Sequence, residues 1–221
     1  MHTIVHKLYN RHRTFWTREH LDEVTKVLGF FVIALIIQHV ADTYVQQTNG
    51  VAVGDLILSH IPSFNIDFII VQGALILTFV LIGLLLWKPK YLMFTGIAIS
   101  MFVIVRSFFI SLTHLGISPH QITFDTQSVG FWLYNFIYNS SNDFFFSGHT
   151  GAPFLMGLIF IREKFWGKFF FGLSFVFGVA VLLGHIHYSI DVFAAPFMTY
   201  GIFTIAKKMF PKTYAITLKK N

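Results

Sequence analysis

The sequence predicts an all-α, polytopic membrane protein built as a bundle of six transmembrane helices. Three observations carry that expectation. The 221 residues are 55% hydrophobic and only 12% charged, whereas soluble globular domains carry about 25% charged residues. The apolar residues, including 28 phenylalanines, collect in long runs. Basic residues gather at every second connection between those runs.

A bilayer-crossing helix needs about 20 mostly apolar residues. The first run, 24–40, follows a basic stretch that also holds Phe15 and Trp16. That stretch reads either as an interfacial amphipathic helix or as a disordered cytosolic tail. No cleavable signal peptide is expected, because the apolar run starts only near Val24 and lacks a small-residue cleavage site. Runs 66–87 and 91–112 are joined by the tight link Trp87-Lys88-Pro89-Lys90. The fourth run, 150–161, is short, and either borrows Phe144 to Phe146 or lies obliquely. Runs 169–184 and 190–206 complete the set. The chain divides into an N-terminal segment 1–23, a membrane domain 24–206 and a basic tail 207–221.

The absence of cysteine excludes disulfides, thiolate metal sites and a cysteine nucleophile. The net charge of +6 would suit nucleic acid, but the placement of the charges argues otherwise. Lysine and arginine precede or open the first span, join spans two and three, join spans four and five, and follow span six. The connections 41–65, 113–149 and 185–189 contain neither. Cytoplasmic loops carry the positive excess, so both termini are expected in the cytoplasm and the connections without lysine or arginine outside. No nucleic-acid partner is expected.

Arg106 breaks the pattern by lying inside span three. An ionisable residue in a span is a functional-site hypothesis by default, although an arginine about two turns from a helix end would also snorkel to the headgroups. The expected orientation brings further polar residues to the same outer face. His149 stands where span four enters, His185 and His187 where span five leaves, and Asp191 at the start of span six. His187 and Asp191, four residues apart, share a helical face if span six starts by about Tyr188. The carboxylate would then hold one ring nitrogen and orient the other as nucleophile or base; equally, Asp191 would favour a helix N-terminus without any catalysis. In Ser147-Gly148-His149-Thr150, a helix N-terminus offers unpaired N–H groups to an anion, Gly148 permits close approach, Ser147 adds a hydroxyl and His149 a proton. Ser147 or Thr150 would also serve simply as an N-cap.

Together these residues resemble the lipid phosphate phosphatase superfamily, the type 2 phosphatidic acid phosphatases, and in particular its sphingomyelin synthase branch. A Gly-Asp followed by Phe-Ser-Gly-His-Thr is matched by residues 142–150, with Asn142 in place of glycine. His-Tyr-x-x-Asp-Val is matched in full from His187 to Val192. An arginine with spaced threonines and a proline is echoed by Arg106, Thr113 and Pro119, and Asp55 with Pro62 weakly echo a further signature. Standard lipid phosphate phosphatases have additional cations. Here Ile99 and Ser107 stand at the lysine and proline positions around Arg106, Phe146 replaces a proline, and Ala180 and Val181 occupy a Ser-Arg pair. A site with fewer cations suits a singly charged phosphodiester better than a phosphomonoester, which carries close to two charges near neutral pH.

The resemblance implies six spans with an extracytoplasmic active site and phosphoryl transfer through a phosphohistidine-type intermediate. It makes His187 the nucleophile, Asp191 its orienting group and His149 the proton donor. Arg106, Ser147 and Gly148 become the phosphate site, with Asp143, His185 and Tyr188 in support. The expected partners are a phospholipid and either water or a lipid alcohol; no metal and no cofactor is called for. A lipid phosphomonoester phosphatase acting on phosphatidic acid or polyprenyl phosphate is the alternative. A transporter, a haem-bearing carrier or a non-catalytic binding protein would belong to another class. Bis-histidine haem would need histidines at membrane depth, whereas these lie at helix mouths.

Overall fold

The computed structural model describes residues 15–48, 50–138 and 144–219, together with 6, 9, 12 and 13. Among them stand eight α-helices and no strand, the single bridge pairing Val51 with Leu115. In chain order these are α1 (Arg18–Gln47), α2 (Asp67–Trp87), α3 (Leu92–Leu112), α4 (Phe131–Tyr138), α5 (Gly148–Ile159), α6 (Lys164–Leu183), α7 (Ser189–Met209) and α8 (Pro211–Leu218). A short 3-10 turn, Pro89–Tyr91, leads into α3. Six of the eight overlie the predicted apolar runs, while α4 lies in the connection 113–149 and α8 in the basic tail. α1 starts earlier than expected because Thr17 caps it, accepting the His20 N–H.

Among the described residues five helices are long and apolar enough to cross a membrane: α1, α2, α3 with its 3-10 turn, α6 and α7. α5 has 12 residues, about 18 Å of helix, and falls short of a crossing by itself. It is nevertheless deeply packed. Leu155 is fully buried, and Met156, Leu158 and Ile159 nearly so. Two glycines let neighbours close on it. A side-chain carbon on Gly151 would lie 2.8 Å from Phe102 of α3, and one on Gly157 2.6 Å from Phe171 of α6. Such close approach at small residues is how helices associate where no hydrophobic force drives them together. The outer faces of α1 and α2 display Leu28, Val32, Ile36, Phe68, Ile76 and Phe79, an apolar surface consistent with an integral membrane protein.

One end of the bundle is basic. Lys88 Nζ lies 2.5 Å from Glu163 Oε2, and the Tyr91 hydroxyl donates to Glu163 Oε1 at 3.0 Å. These bonds fasten the α2–α3 link to the α5–α6 link. His12 and Lys219 also come to this side. His12 Nε2 is 2.7 Å from the Leu86 carbonyl, and Lys90 Nζ donates to the Lys219 carbonyl at 2.8 Å. The opposite end holds the non-helical segment that enters α5, and there the polar residues meet.

Candidate active site

The site is built on α3. Arg106 and Thr113 are seven residues apart, two helical turns, and so share one face. Arg106 Nε donates to the Phe146 carbonyl at 2.9 Å, and Thr113 Oγ1 donates to the Phe144 carbonyl at 3.1 Å. Phe144, Phe146 and Ser147 are all buried. Non-helical backbone at membrane depth is tolerated only when protein groups satisfy it, and these two side chains do so. Arg106 is therefore not a snorkelling residue but a brace for the segment that enters α5.

Ser147 caps α5, its Oγ accepting the Thr150 N–H at 3.3 Å. Its own N–H donates to the Asp191 carbonyl at 3.0 Å, tying the first turns of α5 and α7 together. Gly148 lies against the guanidinium: a side-chain carbon there would stand 3.3 Å from Arg106 Cζ.

His187 Nδ1 lies 3.4 Å from Asp191 Oδ2, with both side chains buried. Asp191 Oδ2 also accepts the Tyr188 N–H at 3.1 Å. The carboxylate thus caps α7 and faces the histidine at once. At 3.4 Å the pair is oriented but longer than an ordinary N–H···O bond. The ring centroid of His149 lies 6.3 Å from that of His187. His149 Nε2 is 2.9 Å from the Tyr134 hydroxyl. Two histidines, a carboxylate, a guanidinium and a helix N-terminus therefore converge at one end of the bundle, an arrangement able to bind a phosphoryl group and exchange protons with it.

His185 and Tyr188 face elsewhere. His185 Nε2 is 3.2 Å from the Ile61 carbonyl, and the Tyr188 hydroxyl donates to the Gly116 carbonyl at 2.8 Å. With Asp55, Ser118 and His120 they line a cavity of about 590 Å³ to which His149, His187 and Arg106 do not contribute. Asp143 lies outside the described residues. Among the described residues no cluster of three histidine or carboxylate side chains is arranged to hold a metal ion.

Two further residues were not marked as site residues by the sequence, Asp55 beside that cavity and Tyr134 against His149. Asp55, flagged there only as a weak motif echo, accepts from the Ser189 N–H at 2.6 Å and the Ser189 hydroxyl at 2.5 Å, both at the start of α7. Burial would raise its carboxyl, yet the Ser189 hydroxyl and the N–H groups of Leu58, Ser189 and Ile57 hold it below its usual range. Tyr134 is one aromatic residue among many in a connection without lysine or arginine, and nothing in the sequence marks it.

The family model described as PAP2 superfamily C-terminal matches residues 140–208, a stretch that contains Ser147, Gly148, His149, His187 and Asp191. The match supports the PAP2 lipid phosphatase superfamily. With it comes support for phosphatase or phosphotransferase activity on lipid phosphates in a membrane. No curated protein and no solved structure matches the chain.

Proposed function

We propose that the protein is a membrane enzyme that transfers or hydrolyses the phosphoryl head group of a phospholipid, in the manner of the sphingomyelin synthases. The observation that carries this reading is the facing pair of His187, backed by Asp191, and His149, beside Arg106 and Gly148. His187 turns Nδ1 toward Asp191, which leaves Nε2 as the nucleophile. Nε2 attacks phosphorus. The P–O bond to the lipid alcohol breaks, and His149 protonates the departing oxygen. The head-group phosphate then sits on His187. In the second half His149 takes a proton from water or from a second lipid alcohol, whose oxygen attacks phosphorus and releases His187. Arg106, Ser147 and the N–H groups of the α5 N-terminus stabilise the equatorial oxygens, because positioning and electrostatics dominate such transfers.

The substrate is a phosphodiester. Ala180 and Val181, which replace a Ser-Arg pair, are buried, and Arg106 is the only lysine or arginine between residues 91 and 161. One cation suits one negative charge. The chain crosses the membrane six times, with α5 and the buried segment 144–147 forming the fourth crossing together. Both termini are cytoplasmic and the site is extracytoplasmic, since His12, Lys219 and the Lys88–Glu163 pair share the basic end of the bundle.

Product analysis tests the assignment. Purified protein in mixed micelles, given labelled phospholipids and lipid phosphates in turn, should release or transfer the head-group phosphate of a diester. Release of inorganic phosphate from phosphatidic acid alone would establish the phosphomonoesterase instead, and absence of any product would remove the enzyme reading.

A further inference from the structure

Eight residues in the connection between α3 and α5 form α4, a helix too short to be stable by itself in water. It is pinned to α2 at both ends. Gln72 Nε2 donates to the Val129 carbonyl at 2.8 Å just before it. The Tyr138 hydroxyl is 2.7 Å from Thr78 Oγ1 and 3.2 Å from the Ala74 carbonyl at its far end. The chain enters α4 through Gly130, whose φ of +87° lies in the left-handed region. Thus fixed, α4 delivers two tyrosines to one histidine. The Tyr138 and His149 rings stack at 5.9 Å and 20°. The Tyr134 ring stacks on His149 at 6.0 Å and 29°, with its hydroxyl on Nε2. Tyr134 is only 3% exposed, so its hydroxyl is set by the scaffold and not by solvent.

We propose that Tyr134 is the positioning residue of His149, holding Nε2 so that the ring exchanges protons with the substrate through Nδ1 alone. This rests on the reading of His149 as acid and base given above. An imidazole in which one nitrogen is held by a fixed partner has its tautomer and orientation set for the other. In the imidazolium, Nε2–H donates to the phenol oxygen while Nδ1–H passes to the departing lipid oxygen as its P–O bond breaks. The ring is left neutral with its proton on Nε2, still donated to Tyr134. The Nδ1 lone pair then takes the proton of the acceptor hydroxyl. Tyr134 itself neither gains nor loses a proton. Among the described residues, Arg106, His187 and Tyr138 are the other charged or titratable groups near the ring, and the bond at Nε2 is made by Tyr134.

The test is the phosphoryl-transfer assay on the full chain, with Tyr134→Phe, His149→Gln and the double variant. Phenylalanine keeps the stacked face and removes only the oxygen. Tyr134→Phe should lower kcat by about 10-fold, less than the about 100- to 10,000-fold supplied by acid–base catalysis itself, and leave the KM for lipid unchanged. In the His149→Gln background it should cost nothing further, since the oxygen has no imidazole to orient. A wild-type kcat in Tyr134→Phe, or an equal cost in both backgrounds, overturns the inference. Wild-type turnover in His149→Gln overturns the acid–base reading beneath it. Should Tyr134→Phe not fold, Gly130→Ala reads the same link. An alanine at φ +87° is strained whatever space surrounds it, and its carbon would also stand 2.7 Å from Leu75 Cδ1, so the backbone entry to α4 shifts to relieve it. Its kcat should fall, again with no cost in the His149→Gln background; an unchanged kcat overturns the inference.

Discussion

The guanidinium of Arg106 lies flat against Gly148, so close that a single side-chain carbon on the glycine would stand 3.3 Å from Cζ. The first residue of α5 thus carries no side chain because the cation of α3 occupies that space. Gly148→Ala should push the guanidinium aside by a few tenths of an ångström. Turnover should fall by about 10-fold, since misplacement of about 1 Å can cost 100-fold, while thermal stability in detergent changes little. Arg106→Lys differs. A lysine loses both the planar fork and the Nε–H that braces Phe146. It should reduce turnover by about 100-fold or more and lower the melting temperature as well. Unchanged turnover in both variants would leave Arg106 a brace only.

The His187–Asp191 pair is expected to carry the covalent step. His187→Ala should abolish turnover and labelling of the protein by a radiolabelled head group. Asp191→Asn keeps a cap on the Tyr188 N–H but weakens the hold on the histidine. Turnover should fall by about 100- to 10,000-fold, with the protein still folded by size-exclusion profile. Either variant working at the wild-type rate would dismiss His187 as nucleophile.

Asp55 links the connection between α1 and α2 to the start of α7 and makes stability depend on acid. Its folded-state carboxyl titrates below the ordinary value of 3.8, so the unfolded chain binds that proton more readily. The stabilisation is complete above the ordinary value and disappears as pH falls through the lower, folded-state value. Asp55→Asn should melt at a lower temperature at neutral pH, because an amide cannot accept from both Ser189 groups and the Leu58 and Ile57 N–H groups. Between about pH 5 and pH 3 its melting temperature should vary less than that of the wild type. Parallel curves for the two proteins would deny Asp55 this role.

Orientation is testable because the chain has no cysteine. Val129, just before α4, is 88% exposed, and Lys212 lies on the exposed side of α8. A cysteine at 129 should react with an impermeant thiol reagent in intact cells, and one at 212 only after permeabilisation. The reverse pattern would place the site on the cytoplasmic face.

Much of the architecture was readable because its signals are local. An apolar run shows itself residue by residue, and α2, α3 and α7 start within a residue of the runs 66–87, 91–112 and 190–206. α5 was harder. Its run looked like a short span, but its 12 helical residues are completed by a buried non-helical stretch, whose carbonyls need donors from another helix. The supporting roles of His185 and Tyr188 did not take the expected form. Their neighbours in sequence face the site, while they turn to the connections 41–65 and 113–149 and bond the Ile61 and Gly116 carbonyls.

The sequence by itself determined that this is a helical membrane protein whose lysines and arginines gather at every second connection, and that His187 and Asp191 stand four residues apart at the start of α7. Hydropathy belongs to a run of residues, and an i, i+4 contact belongs to a single helix turn. Tertiary structure alone decided that Arg106 braces Phe146, that Tyr134 meets His149 and that Asp55 holds Ser189. These partners are 40, 15 and 134 residues apart. No helical period joins such positions; only the packing of α2, α3, α5 and α7 brings them within reach of a hydrogen bond.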